Sequence, residues 1–318
     1  MHLLNNKRLI VVSLAVLVGV GAVSFFAFTL LVDDPFTEQD VPKQQGIQWA
    51  QGRLSGSDEV ALFVNGYPVS VAEVMESKAV SEFSTKTWRS AYDRRISANH
   101  PSLNEKGLNH AASKAAFYDG ESPVLEDLVI PMKPQIDIWE KHGTDAMAVG
   151  HLISVYAYLT TAMEAGYALT DAEVAAEVAR RREVHEETRD EKTTQIDLDQ
   201  ETGESKTVIY ETVRNHSVDS YIETVGEDKY WNEILPAQVF REMTTYKWRE
   251  AAYGDVKQIS EMYEINLRLN REAEANVKVE FTDKLRMNVT LNQAFAFIRD
   301  SRNYDSQLAR DAAKKPSR

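Results

Sequence analysis

The twenty residues 61–80, ALFVNGYPVSVAEVMESKAV, carry three instructions in succession. Residues 60–64 form a short apolar run of strand type, and Asn65-Gly66 is the dipeptide favoured in two-residue hairpin turns, which need φ > 0 at both positions. A helix start follows. Ser70 stands three residues before Glu73, the capping-box spacing in which each side chain satisfies an orphan backbone N–H. Val69 and Val74 flank it as a hydrophobic staple. The device returns a hundred residues later in LTDAEV, with Thr170, Glu173 and the apolar pair Leu169 and Val174.

Working outward from this helix, residues 70–96 read as one long element with Val74, Met75, Phe83 and Trp88 on a loose apolar face. Residues 99–123 are a polar interruption, with an alanine-rich short helix expected near 111–117. Residues 146–166 form a cleaner helix, in which Val149, Ile153, Tyr156, Thr160 and Met163 recur at three- and four-residue steps and mark a core face. The helix capped at Thr170 runs to about residue 189. Residues 194–213 then alternate across a Glu201-Thr202-Gly203-Glu204 turn, the pattern of a β-hairpin inserted in a helical body. Helices resume over 218–225, 227–252 and 258–275, and Val277, Val279 and Phe281 alternate as a strand. Two short strands, 60–64 and 277–281, therefore bracket a mainly α domain, and pairing them would tie its ends together. The last residues, 282–318, read as a tail with a helix near 291–298.

The N-terminal side is different. Residues 9–32 hold 24 residues without a charge, preceded by Lys7 and Arg8. As a helix this stretch extends about 36 Å, enough for a hydrocarbon core of about 30 Å. The positive flank puts residues 1–8 in the cytoplasm and the bulk of the chain outside, on a single-pass cell-membrane anchor. The alternative is a signal peptide cleaved near Val20-Gly21-Ala22, which would leave Phe25, Phe26, Phe28, Leu30 and Leu31 exposed. Residues 33–58 are polar, contain Pro35, Pro42, Gly46, Gly52 and Gly56, and read as a linker before a domain over 59–281.

Composition removes several function classes. The 318 residues carry a formal charge of −13, against the basic face that nucleic-acid binding requires. Without Lys7 and Arg8 the remainder holds 34 basic against 49 acidic residues, a net −15 that anionic lipid headgroups repel. Cysteine is absent, which excludes disulfides, thiolate metal sites, cysteine nucleophiles and a lipidated N-terminal cysteine. No GxSxG, P-loop or GxGxxG occurs. His100, His110, His142, His151, His185 and His216 lack tight ligand spacing, so neither a metal nor another cofactor is expected. Asp197-x-Asp199-x-Glu201 with Gly203 resembles a calcium loop. Its glycine falls one place late and Val208 stands where the bidentate Glu belongs, so a hydrated hairpin tip is the better reading. Asn215-His-Ser and Asn288-Val-Thr match glycosylation acceptors, a pattern short enough to arise by chance.

Binding remains. Aromatic and methionine side chains crowd the helical body, above all in KYWNEILPAQVFREMTTYKW at residues 229–248. Most are expected in the core, yet not all can face one core. Phe83, Trp88, Tyr230, Trp231, Phe240, Met243 and Trp248 are the candidates for a surface that holds apolar polypeptide.

VALFVNGYPVSVAEV resembles the opening of the SurA-type N-terminal chaperone domain, shared by membrane-anchored PrsA-type foldases, with Val64, Asn65, Gly66, Ser70 and Glu73 at the matching positions. GHLISVYAYLTTAMEAGYALTDAEVAAEV is similar to that family's next signature through Leu152, Ile153, Ala162, Gly166, Thr170 and Glu173. VGEDKYWNEILPAQVFREM is similar to the third through Gly226, Tyr230, Trp231, Leu235 and Pro236. The resemblance covers residues 60–281. It implies a mainly helical fold whose first and last segments meet, and an ATP-independent holdase for unfolded or secreted polypeptides. The Gly-rich parvulin motifs of many members are missing, so prolyl-isomerase activity is not expected. The 99–123 and 194–213 segments look like insertions. They suit the rival reading, a docking subunit for a dedicated partner protein of the envelope.

Overall fold

The computed structural model describes residues 41–97, 110–119, 122–188, 192–198, 205–211, 213–254, 256 and 259–313. The expected cytoplasmic tail 1–8 and membrane anchor 9–32 lie outside the described residues, as do 98–109 and the hairpin turn at 199–204.

The opening stretch folds as its residues dictate. Strand β1 (Val60–Val64) pairs antiparallel with β2 (Tyr67–Ser70), Val64 opposite Tyr67, leaving Asn65 and Gly66 as a two-residue loop. Their φ values, 51° and 79°, are the positive pair that a hairpin of this length requires. On its other edge β1 pairs antiparallel with β7 (Val279–Phe281), giving a sheet of order β2-β1-β7. The two ends of the domain therefore meet, as the bracketing strands imply. Asn65 locks the junction: its backbone N–H donates to the Lys278 carbonyl at 2.8 Å, its Oδ1 accepts the Lys278 N–H at 2.8 Å, and its Nδ2 donates to Thr160 Oγ1 at 2.8 Å.

Eight longer helices make up the rest of the body among the described residues: α1 (Val41–Leu54), α2 (Val71–Ser97), α3 (Met132–Glu164), α4 (Asp171–Thr188), α5 (Val213–Val225), α6 (Leu235–Tyr253), α7 (Ile259–Ala275) and α8 (Leu291–Ala313). Helix α3 is the centre. Gly143, at φ 76° and ψ 162°, breaks it into two parts. The second part places Val149, Ile153, Tyr156 and Ala157 in the main core with Leu62, Val64, Val69 and Val74. By length and apolarity α3 could cross a membrane, but most of that apolar stretch is covered by the other elements. The first part supplies Ile136 and Trp139 to a separate cluster with Trp88 and Tyr92 of α2, which Met147, just past the break, completes.

Three expectations are corrected. Residues 41–54, read as polar linker, form α1, which packs between α2 and α5. Its buried face is built from Gln45, Gly46 and Ala50 rather than large apolar residues, so it leaves little periodicity in the sequence. A Cβ on Gly46 would stand 2.0 Å from the Ser217 carbonyl oxygen, and one on Gly52 would stand 2.6 Å from Ala79 Cβ. The helix is seated by backbone approach, which only glycine permits at these two points. Second, the alanine-rich run is strand β3 (His110–Asp119), paired with β4 (Ser122–Pro131) over ten positions. Alanine's helix propensity is a weak prior, and a long ladder to a Val/Ile/Leu-containing partner strand overrides it. Third, the C-terminal segment is part of the body. Helix α8 buries Ala294, Ile298 and Tyr304, and Arg302 Nη2 donates to Glu274 Oε1 on α7 at 2.7 Å. The expected insertion at 194–213 is the hairpin β5 (Lys192–Leu198) and β6 (Ser205–Glu211).

Candidate functional site

The third motif, residues 225–243, builds the most irregular backbone in the described body. Gly226 takes φ 93°, a short turn follows at Glu227–Lys229, and Tyr230–Ile234 winds as a π-turn, closed by a Leu235 N–H to Tyr230 carbonyl bond. Pro236 explains the widening. It has no N–H to give the carbonyl four residues back, and its ring crowds that carbonyl, so the helix relaxes before α6 begins.

The π-turn aims Trp231 inward, into a cluster with Leu169, Ile222, Leu235 and Val239. The His185 ring of α4 lies 5.5 Å from the Trp231 ring, and the Arg182 guanidinium sits 5.6 Å over it. His185 Nε2 is 3.2 Å from Asp219 Oδ1 on α5. Beside this pair opens a half-open cavity of about 170 Å³ lined by His185, Asp219, Ile222, Glu223, Gly226 and Glu227. Three carboxylates, one imidazole and Ile222 contribute to its lining.

The candidate contact residues divide. Phe83, Trp88, Trp231 and Trp248 are 4%, 0%, 7% and 8% exposed, and they serve as packing residues rather than surface. Trp248 packs on Tyr158 in a tilted pair with ring centroids 4.7 Å apart, and Trp88 meets Trp139 edge-on at 5.1 Å. Tyr230, Phe240 and Met243 are half-buried around the Trp231 cluster. Aromatic stripes at helical spacing pack inward, and here four of the seven do.

The capping boxes both form. The Ser70 N–H donates to Glu73 Oε2 at 3.0 Å and the Glu73 N–H to Ser70 Oγ at 3.2 Å. The Thr170 N–H donates to Glu173 Oε2 at 2.8 Å and the Glu173 N–H to Thr170 Oγ1 at 3.3 Å. Sequence reasoning stopped at the cap, whereas Glu73 has a second role. Its Oε1 accepts the Tyr156 hydroxyl of α3 and, at 3.1 Å, Arg241 Nη1 of α6. Arg241 also donates to Tyr156 Oη at 3.0 Å and lies 5.5 Å over the Tyr156 ring. Burial alone would raise the Glu73 carboxyl, but Arg241 and the bonds from Tyr156 and Ser70 outweigh it and hold it below the ordinary carboxylate range. Burial pushes the Tyr156 hydroxyl up, so it stays a donor. A parallel arrangement joins α1, α2 and α5: Arg53 Nη1 and Tyr221 Oη both donate to Glu76, each at 2.7 Å. Nothing short-range in the sequence marks Arg241, Tyr156 or Tyr221 for these roles, since their partners lie 83 to 168 positions away.

Comparison with protein-family models, curated proteins and solved structures returns no match.

His151, on the inner part of α3, has its imidazole pushed down to about 4, by burial first and then by Arg241 and Arg302. It is neutral at pH 7. Among the described residues no three His, Asp or Glu side chains converge in a way that would hold a metal ion. The ion pairs and hydrogen bonds around Glu73 and Glu76 tie four helices, α1, α2, α5 and α6, to one another and, through Tyr156, to α3.

Proposed function

We propose that this chain is a non-catalytic, membrane-anchored extracytoplasmic protein that binds other polypeptides on a helical body of the SurA N-terminal type, and that it acts as a dedicated docking subunit. One observation carries the choice: of the large aromatics proposed for a holdase surface, Phe83, Trp88, Trp231 and Trp248 are inside. Among the residues whose exposure is described, which do not include the two hairpins, Leu54, 46% exposed, is the single large hydrophobic side chain open to solvent. A surface of this kind has little with which to hold unfolded apolar chains. The hairpins β3–β4 and β5–β6 each form a two-stranded sheet of their own, apart from the β2-β1-β7 sheet. Two-stranded sheets keep open edges, the feature used when an extended segment of a partner adds as a strand.

The test is affinity purification of the full chain from its native membranes in mild detergent, with quantitative mass spectrometry. A docking subunit brings down one integral partner near one-to-one and loses it when a hairpin is deleted. A spectrum of sub-stoichiometric unfolded proteins would instead select the holdase. That second reading draws on Tyr230, Phe240 and Met243, which are half-buried against the Trp231 cluster.

A further inference from the structure

The β2-β1-β7 sheet ends differently at its two sides. On the β2 side Val64 and Tyr67 close the hairpin, so Phe63 and Pro68 form the next, non-hydrogen-bonded pair. Position 68 therefore turns its backbone nitrogen outward. Proline has no N–H to offer there, and that edge is blunted. The β7 side is open. The Asn65 N–H donates to the Lys278 carbonyl at 2.8 Å, and the Thr282 N–H to the Ala61 carbonyl at 3.0 Å. Backbone bonds alternate along an antiparallel pair, so the Glu280 backbone also faces β1, opposite Phe63. Val279 and Phe281 then turn their N–H and carbonyl groups away from β1. Among the described residues no strand pairs with that side of β7.

Side chains on β7 alternate between two faces. Val279 and Phe281 pack half-buried against the main core, whereas Lys278 and Glu280 stand exposed. Neither charged side chain has a hydrogen-bond or ion-pair partner among the described residues. A lone lysine on an edge strand keeps other strands away. Here a carboxylate follows two positions on, and the spacing complements itself. When two copies of β7 meet antiparallel about a two-fold axis through Val279, Lys278 of each falls opposite Glu280 of the other. Both pairs occupy non-hydrogen-bonded positions, where cross-strand side chains come closest. Val279 exchanges its free backbone bonds with its counterpart on the axis. An axis through Lys278 or Glu280 instead sets like charges face to face, which is unfavourable.

We propose that β7 is a self-association edge, through which two copies of this chain join their three-stranded sheets into one of order β2-β1-β7-β7-β1-β2. The occupant is a second copy because the charge match is with the strand's own sequence. The contact is isologous and closes on itself, as a two-fold dimer requires. This goes beyond the docking-subunit reading and does not depend on it, since neither outlying hairpin takes part.

Charge reversal tests the register, because both side chains are exposed and hold no bond within the described body. Sedimentation velocity of the full chain in detergent should show a concentration-dependent dimer. Lys278→Glu sets acidic pairs across the axis and Glu280→Lys sets basic ones, and each should weaken self-association by about tenfold or more. An equimolar mixture of these two variants should dimerise again, since every lysine then meets a glutamate. The double exchange in one chain, Lys278→Glu with Glu280→Lys, should dimerise like the wild type. Circular dichroism should show every variant folded as the wild type is. A wild type that stays monomeric through the micromolar range overturns the proposal. So does a dimer that either single reversal leaves intact, or a mixture that stays apart. The docking reading stands or falls separately, on the partner recovered from membranes.

Discussion

The Ser70–Glu73 and Thr170–Glu173 boxes are one sequence device in two settings. Both close the same pair of backbone bonds, and each carboxylate also meets a cation: Arg241 at 3.1 Å from Glu73, and Lys247 at 2.5 Å from Glu173. The first lies between α2, α3 and α6, with 17% and 23% of the two side chains exposed, and it adds the Tyr156 hydroxyl. The second lies open, at 45% and 40%. In the first, removing one partner strands a charge within the protein. In the second, water replaces it. A cap marks where a helix begins, and the burial around it decides whether it also holds the fold together.

The comparison breaks most sharply at the cations. Arg241→Ala should cost about 3 kcal/mol in urea unfolding, because Glu73 and Tyr156 lose their shared partner inside the body. Lys247→Ala should leave the midpoint almost unmoved, and equal losses would contradict the contrast. A double-mutant cycle sharpens it: the Glu73–Arg241 coupling should survive 0.5 M salt, whereas any Glu173–Lys247 coupling should vanish there.

Next in size is the turn that leads into the first box. Asn65→Ala removes two side-chain hydrogen bonds and places a residue with less tolerance for φ 51° at the β1–β2 loop, an expected loss of about 2–3 kcal/mol. Asn65→Gly should recover the backbone part alone.

Acid separates the contributions further. Glu73 has a depressed folded pKa, so its stabilisation is present above the ordinary carboxylate pKa and is lost as pH falls below it. His151, with its folded value near 4 against about 6.5 unfolded, acts earlier. The unfolded chain binds more protons between those values, so stability should decline from pH 6.5 down to 4. His151→Gln should flatten that interval, a change of at most about 3 kcal/mol, while Glu73→Gln should flatten the region beneath it. Lys247 and the Thr170 cap also hold the Glu173 carboxyl down, to about 2, but solvent screens that open site, so the profile of Glu173→Gln should match wild type once salt is added. A third box, Thr290 with Gln293 at the start of α8, is uncharged and supplies a pH-independent control.

What could be read in the sequence was local. The Asn65-Gly66 turn, both carboxylate caps, the inner face of α3, the β5–β6 hairpin and strand β7 all announce themselves within a few residues. The Thr290–Gln293 box has the same spacing and was legible too, but its helix was expected to end near residue 298 rather than at Ala313. Helix α1 was hidden because its buried face is Gln45, Gly46 and Ala50, which look like linker residues until α2 and α5 are placed against them. Strand β3 was hidden because alanine favours helix until β4 offers a ladder. Trp88, Trp231 and Trp248 could not be sorted into core or surface by spacing alone, since several separate cores share the body and each takes its own aromatics.

The claim that this body docks a defined partner, and does not shelter unfolded chains, is tested most directly by light scattering. The full chain in lipid nanodiscs would be added to a chemically unfolded client on dilution from denaturant. Unchanged aggregation at a several-fold molar excess, for several clients, is the predicted result. Suppression near one-to-one would contradict the account.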